Sequence, residues 1–215
     1  MKTRQAIRKI IRGLTPPVFP SLAAKFRKKL KELEAKRRLA GQTKLHLACG
    51  RNVLEGWANI DLTGDAQVTG WDLTERLPVE SETVDFIFCE HFIEHITLEQ
   101  ANALLSDCCR ILRPGGVLRL STPNLRKLVD EYLAGRLTEW CDVGWTPATP
   151  CQLLNEGLRL WGHQFVFDAV ELPRALQKAG YQKVIPVAWH ESQHKELRNL
   201  ECRPFHDEVI LEATK

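Results

Sequence analysis

The sequence predicts an open, doubly wound, mostly parallel α/β sheet preceded by a basic helical arm, and three observations carry that prediction. From Lys44 onward, short apolar runs alternate with segments of helical apolar spacing, the order that builds a parallel sheet with helices on both faces. One run, Val84-Asp85-Phe86-Ile87-Phe88-Cys89, is nearly continuous in apolar residues, as a strand covered on both faces must be. The length of 215 residues suffices for one such core and an appendage, not for a second full domain.

The arm is defined by charge. Residues 1–40 hold thirteen Lys and Arg against two Glu, while the remaining residues hold seventeen against twenty-five, so a formal net charge of +3 conceals a basic arm on an acidic body. Ile7, Ile10, Ile11 and Leu14 share one helical face, and Pro16-Pro17 stops that segment. A second helix runs from Ser21 as N-cap to Gly41 just past its end, with Leu22, Phe26, Leu30 and Leu33 in one stripe and Lys and Arg on the other faces. Residues 1–41 therefore form a basic amphipathic helical arm and residues 42–215 the folded domain. The arm suits peripheral contact with an anionic membrane, or docking on the body by its stripe.

In the domain, strand Lys44-Leu45-His46-Leu47 breaks at Ala48-Cys49-Gly50, and a second short strand closes on Asp61. Thr97-Leu98-Glu99-Gln100 is a capping box opening a helix through Ala101, Leu104, Leu105, Cys108, Ile111 and Leu112. Pro114-Gly115-Gly116 stops it, and Val117-Leu118-Arg119-Leu120-Ser121 is the next strand. Asp168 caps a helix through Leu172, Leu176 and Ala179 to Gly180, with two strands after it near 183–187 and 208–213. A lid-like insertion at about 125–162 carries Tyr132, Trp140, Trp145 and Trp161, suited to stacking on a substrate or to forming the lid's own core.

Seven cysteines (49, 89, 108, 109, 141, 151, 202) contain no C-x-x-C pair and read as reduced, mostly buried side chains of a cytoplasmic protein. No apolar run reaches membrane-spanning length, and the N-terminus lacks the apolar core of a signal peptide. The lysines and regular helix pattern of the arm argue against a transit peptide.

A strand breaking at Gly lets backbone approach a ligand, and an acidic residue closing the next strand can accept hydrogen bonds from a ribose. The glycine-rich phosphate turn of nicotinamide dehydrogenases is missing. Four blocks in order carry a family resemblance: residues 45–50; Asp61; Trp71-Asp72-Leu73-Thr74-Glu75-Arg76-Leu77-Pro78 running into Val84-Asp85-Phe86-Ile87; and Arg113-Pro114-Gly115-Gly116-Val117-Leu118. On these the chain resembles the class I S-adenosylmethionine (SAM)-dependent methyltransferases, particularly their type 11 branch, with a Rossmann-like fold. The ending Ser192-Gln193-His194-Lys195-Glu196-Leu197-Arg198-Asn199-Leu200-Glu201 resembles the tail of a compact subfamily often linked to surface-polysaccharide synthesis.

The resemblance implies SAM as cofactor, with Ala48, Cys49 and Gly50 passing under its methionine part. It implies Asp61 on the ribose hydroxyls, Asp72 at the adenine amino group, and Glu90 with His91 lining the open side. It implies a small-molecule or saccharide acceptor. The compact subfamily shares one departure from the family at large: the segment from Gly50 to Asp61 is too short for a first crossover helix.

His91-Phe92-Ile93-Glu94-His95 also spells H-x-x-E-H, the arrangement of inverted zinc peptidases, but it sits at the end of a buried strand, the wrong context for one. A similar E-x-x-E-H in methyltransferases of the ubiquinone-O-methylation and small-RNA 3′-end types binds a divalent ion. His91 in place of the first Glu weakens a hard-ion site, and no metal is assigned. If the acceptor is a hydroxyl, His95 and His163 are the candidate catalytic bases, although proximity alone can also carry methyl transfer. Two other readings remain: an RNA methyltransferase gripping nucleic acid by the arm, ranked lower because the body is acidic, and a non-catalytic cofactor-binding scaffold.

Overall fold

The computed structural model describes residues 22–137 and 144–215; the expectations for residues 7–17, Ser21, Trp140 and Cys141 fall outside them. By its contacts the chain divides into residues 1–34 and 35–215. Helix α1 (Leu22–Leu39) carries no acidic residue in its first turn and Lys36, Arg37 and Arg38 in its last, where cations favour the negative end of the helix dipole. Phe26, Leu30 and Leu33 of its stripe are exposed. The final turn belongs to the second unit: Ala35 and Leu39 lie in its core, and Arg38 donates to the carbonyls of Asp65 at 2.6 Å and Ala66 at 3.0 Å.

The second unit is built on seven strands: β1 (Lys44–Leu47), β2 (Ala58–Asp61), β3 (Val68–Gly70), β4 (Val84–Glu90), β5 (Leu112–Thr122), β6 (Lys183–Pro186) and β7 (Val209–Thr214). Their order is β3-β2-β1-β4-β5-β7-β6. The five on the β3 side run parallel, and β7 pairs antiparallel with both β5 and β6. The chain leaves β1 toward one edge and returns at β4 to build the other. The carboxyl ends of β1 and β4 therefore flank the switch point where α/β sheets open a crevice.

Helix α2 (Leu98–Ile111) starts at the expected capping box, with the Gln100 amide donating to Thr97 Oγ1 at 3.2 Å and the Thr97 amide donating to Gln100 Oε1 at 3.0 Å. The Pro-Gly-Gly stop proves to be part of β5. A Cβ at Gly116 would lie 3.0 Å from the Arg113 carbonyl and 3.1 Å from that of Val84, so glycine permits a close backbone approach where the β4–β5 register shifts. Before α5 (Glu171–Ala179), Asp168 Oδ1 accepts from the amides of Val170 and Glu171 at 2.9 and 2.7 Å.

No helix joins β1 to β2, as the short spacing requires. The buried side chain of Asn59 organises that connection instead. Its Oδ1 accepts from the Leu54 amide at 3.0 Å, and its Nδ2 donates to the carbonyls of Leu54 and Trp57 at 3.0 and 3.1 Å. Leu197 and Leu200 cover the face left bare, packing with Phe88 and Val117 beside Leu54, Trp57 and Phe86. The segment 187–208 thus crosses the sheet as a strap.

In the lid, α3 (Leu125–Ala134) and α4 (Pro150–Arg159) enclose Leu128, Trp145 and Leu153. A Cβ at Gly157 would meet the Leu128 methyls at 2.8 Å, so glycine sets how closely the two helices approach. Trp145 is lid core, its indole donating to Glu156 at 2.7 Å, whereas Trp161 is 48% exposed. No helix among the described residues is long and apolar enough to cross a membrane.

Candidate active site

The crevice begins where β1 ends. Ala48 and Gly50 both have φ of +53°, a left-handed pair that turns the chain sharply beyond the strand. Nothing lies within 4 Å of where a Cβ on Gly50 would project, so the turn faces open space. Asp61, one strand over, accepts from the Gly50 amide at 2.9 Å through Oδ2 and from the Leu62 amide at 2.7 Å through Oδ1. Each oxygen keeps acceptor capacity for a hydroxyl. Asp72 caps its own turn, accepting from the Thr74 amide at 2.9 Å and the Thr74 hydroxyl at 2.7 Å. Burial first, and then Asp61, push the Cys49 thiol up to about 11, which leaves it a packing residue and not a nucleophile.

The neighbouring strand ends differently. Glu90 turns its carboxylate to the strap, accepting from the amides of Cys202 at 3.2 Å and Arg203 at 3.1 Å and from the Cys202 thiol. His91 is left-handed, with φ of +49°, and lies between two carboxylates. Its Nδ1 is 3.3 Å from Glu94 and its Nε2 3.5 Å from Glu208. Burial lowers its pKa, but Glu208 and Glu94 outweigh burial and bring it to about 9, so the ring is an imidazolium at neutral pH. Burial alone would raise the Glu94 carboxyl; His91 holds it below its ordinary value.

Residues 93–95 form a single 3-10 turn, not the α-helix that an H-x-x-E-H zinc pair requires. His91 and His95 consequently part: His91 faces Glu208, while His95 meets His163 edge to face with ring centroids 5.0 Å apart. Burial is the main cause that lowers the His95 pKa. The loop before α5 that delivers His163 is tied to the turn below it. The amides of Gln164 and Phe165 both donate to the Glu94 carbonyl, at 2.7 and 3.2 Å, and the Gln164 side chain donates to the His95 carbonyl at 2.7 Å. Trp161 sits at φ +59° in that loop, a strained position held by these ties. Around the two imidazoles lies a cavity of about 180 Å³, lined also by His91, Trp145, Trp161 and Arg203.

Of the residues singled out in the sequence, Ala48, Cys49, Gly50 and Asp61 meet at one strand-end turn, and Asp72 lies just beyond the neighbouring β3. His91, His95 and His163 meet at the cavity, and Glu90 is drawn to the strap. Sequence reasoning did not single out Arg203, His206, Glu208 or Thr122. The first three lie just past the quoted tail and reach the cavity only because the strap folds back across the sheet. The crevice fits SAM by the chemistry of its acceptors: the Asp61 carboxylate at an open glycine turn, with Asp72 beyond β3, suits a hydroxyl-bearing sulfonium compound that carries no phosphate.

Comparison with known proteins agrees. A family model described as a methyltransferase domain matches residues 24–185, and the chain belongs to that family, within the SAM-dependent class I methyltransferases. A malonyl-[acyl-carrier protein] O-methyltransferase of Methylococcus capsulatus is 30% identical over 132 residues, which span 60% of this chain and 42% of that protein. Less than half of that relative's length is therefore matched. A solved possible histamine N-methyltransferase from Thermotoga maritima shares the fold at 18% identity and a TM-score of 0.50, covering 86% of this chain and 88% of its own. A SAM-dependent methyltransferase from Archaeoglobus fulgidus covers 89% of this chain and 96% of its own at 18% identity and a TM-score of 0.49.

Proposed function

We propose that the enzyme methylates an oxygen of a small, carbohydrate-like acceptor bound in the cavity between His91, His95, His163, Trp161 and Arg203. The observation that carries this reading is the cavity itself. At about 180 Å³ it has room for a single ring or a short acid, not for a duplex or a folded partner. The exposed indole of Trp161 gives a flat face on which a sugar can stack. Asp61 and the Gly50 turn hold SAM, Asp72 lies toward its base, and the His95–His163 pair activates the acceptor oxygen. SAM, when bound, would supply the methyl carbon: the acceptor oxygen would bond to it in line as the carbon–sulfur bond breaks to leave S-adenosylhomocysteine, and the hydroxyl proton would pass to the imidazole pair. The arm, with its exposed Phe26, Leu30 and Leu33 among lysines and arginines, holds the enzyme at an anionic membrane surface.

The cofactor half is tested by calorimetry with S-adenosylhomocysteine. Wild-type protein binds at micromolar concentration, and Asp61→Ala weakens binding by tenfold or more, since charge-assisted hydrogen bonds contribute about 1.5–3 kcal/mol and about 1.4 kcal/mol is tenfold. The acceptor half is tested by S-adenosylhomocysteine release over a panel of sugars, nucleotide sugars, a malonyl thioester and RNA. Turnover on a saccharide hydroxyl supports the reading. Turnover confined to RNA or to the thioester replaces it.

A further inference from the structure

Glu94, His95 and His163 bring three donor atoms within 4.8 Å of one another at the cavity. Glu94 is wholly buried, and its two oxygens are used unequally. Oε2 accepts from the Thr122 hydroxyl at 3.0 Å, whereas Oε1 accepts no hydrogen bond, the imidazole nitrogens near it being His91 Nδ1 at 3.3 Å and His95 Nε2 at 3.9 Å. His163 Nδ1 lies 2.9 Å from the Gly157 carbonyl. A carbonyl oxygen has no proton to give, so Nδ1 carries the hydrogen, and in the neutral ring the lone pair is on Nε2. A ring nitrogen anchored to a carbonyl while the other stays basic is the arrangement that fixes a ligating histidine. The ties from Gln164 and Phe165 to the carbonyls of Glu94 and His95 hold the two chain segments together, so the three donors are placed as one unit.

We propose that these three residues form a divalent-metal site, deepening the function proposed above: an ion there orients and polarises the acceptor oxygen, and the two imidazoles serve as its ligands instead of as free bases. Two imidazoles and one carboxylate select an ion of borderline softness, such as Zn(II), Co(II) or Fe(II), and leave positions open for an acceptor. Donors bonded to one ion at about 2.1 Å stand roughly 3 Å apart, so loading draws the rings inward by about 1–2 Å. His91 need not leave, because Glu208 pairs with its other nitrogen at 3.5 Å.

The test uses the full chain, stripped with a chelator and titrated with Co(II) and Zn(II) by calorimetry and absorbance, with S-adenosylhomocysteine binding measured in parallel. The expected result is one ion per chain, a visible Co(II) spectrum without a thiolate charge-transfer band, and at least tenfold weaker binding in His163→Ala and Glu94→Gln. Affinity for S-adenosylhomocysteine should stay within threefold in both variants. A wild-type chain that binds S-adenosylhomocysteine but no ion overturns the proposal and leaves the methyltransferase reading intact. A thiolate band, or ion binding undiminished in His163→Ala, overturns it by placing the ion elsewhere. Should a variant fail to fold, the wild-type Co(II) spectrum still distinguishes nitrogen and oxygen ligands from cysteine.

Discussion

Arg119 is a guanidinium with no exposed surface, its Nε 2.5 Å from Glu201 and its Nη1 2.8 Å from Glu212, with further bonds donated to the carbonyls of Glu191 at 2.7 Å and Ala188 at 3.2 Å. Strand β5 meets β7 with Arg119 directly opposite Glu212, and the strap adds Glu201 from outside the sheet. Taking a charge out of water is costly, and a buried pair is worth most in what its loss would leave behind. Arg119→Met should therefore destabilise the protein by about 3–5 kcal/mol in denaturant unfolding, because two carboxylates remain buried without a cation. Adding Glu201→Gln and Glu212→Gln should recover more than half of that loss; no recovery would mean that the cost is one of packing. Nothing in the sequence marks this site. Arg119 alternates with apolar neighbours as a solvent-facing residue would, and its partners stand 82 and 93 positions away. Asp61 was legible for the opposite reason, lying eleven positions from the glycine turn it serves.

At the scale of elements, the sequence reveals what is local. The capping box, the Asp168 cap and the buried strand β4 are each specified within a few residues, and each forms where expected. The missing first crossover helix was also readable, as a length. What takes its place was not, because Leu197 and Leu200 come from the far end of the chain. Charge composition is likewise local, and it carries the prediction for the arm. Helix α1 presents Phe26, Leu30 and Leu33 to solvent among Lys25, Arg27, Lys29 and Lys31. Anionic vesicles should retain the full chain at low salt and release it as salt rises, since each basic residue near such a surface contributes about 1 kcal/mol through a screened field. Replacing Phe26, Leu30 and Leu33 together by Glu should abolish retention in a sedimentation assay while S-adenosylhomocysteine binding persists. Equal retention of wild type and variant would remove the membrane from the proposal. A truncation starting at Gly41 is the poorer test, because it also deletes Ala35 and Leu39 from the core.

Across the whole molecule, the strand-end crevice and the cavity proposed for the acceptor are built by different parts of the chain and meet at Glu90. The crevice draws its side chains from β1, β2 and β3 and the turns beyond them. The cavity needs β4, β5, the lid and the strap, whose Arg203 enters it. Glu90 closes β4 and accepts hydrogen bonds from three donor groups of Cys202 and Arg203, so it ties the strap to the sheet where the two halves adjoin. Its relatives by motif led to the expectation of a cofactor-lining carboxylate; its own hydrogen bonds describe a tether. The two roles differ in what Glu90→Gln should do. The neutral amide keeps one acceptor oxygen and gains donors that cannot pair with backbone N–H groups, so most of the charge-assisted bonding is lost, about 1.5–3 kcal/mol. In hydrogen exchange that loss should appear as roughly tenfold to hundredfold weaker protection of the amides at 199–205, since about 1.4 kcal/mol is a factor of ten. Amides of β4 and β5 should keep their protection, because the sheet and the Arg119 cluster are untouched. S-adenosylhomocysteine affinity should stay within about threefold of wild type, because Asp61 and the Gly50 turn do not depend on the strap. Loss of cofactor affinity with the strap's protection unchanged would reverse the assignment and make Glu90 a binding residue.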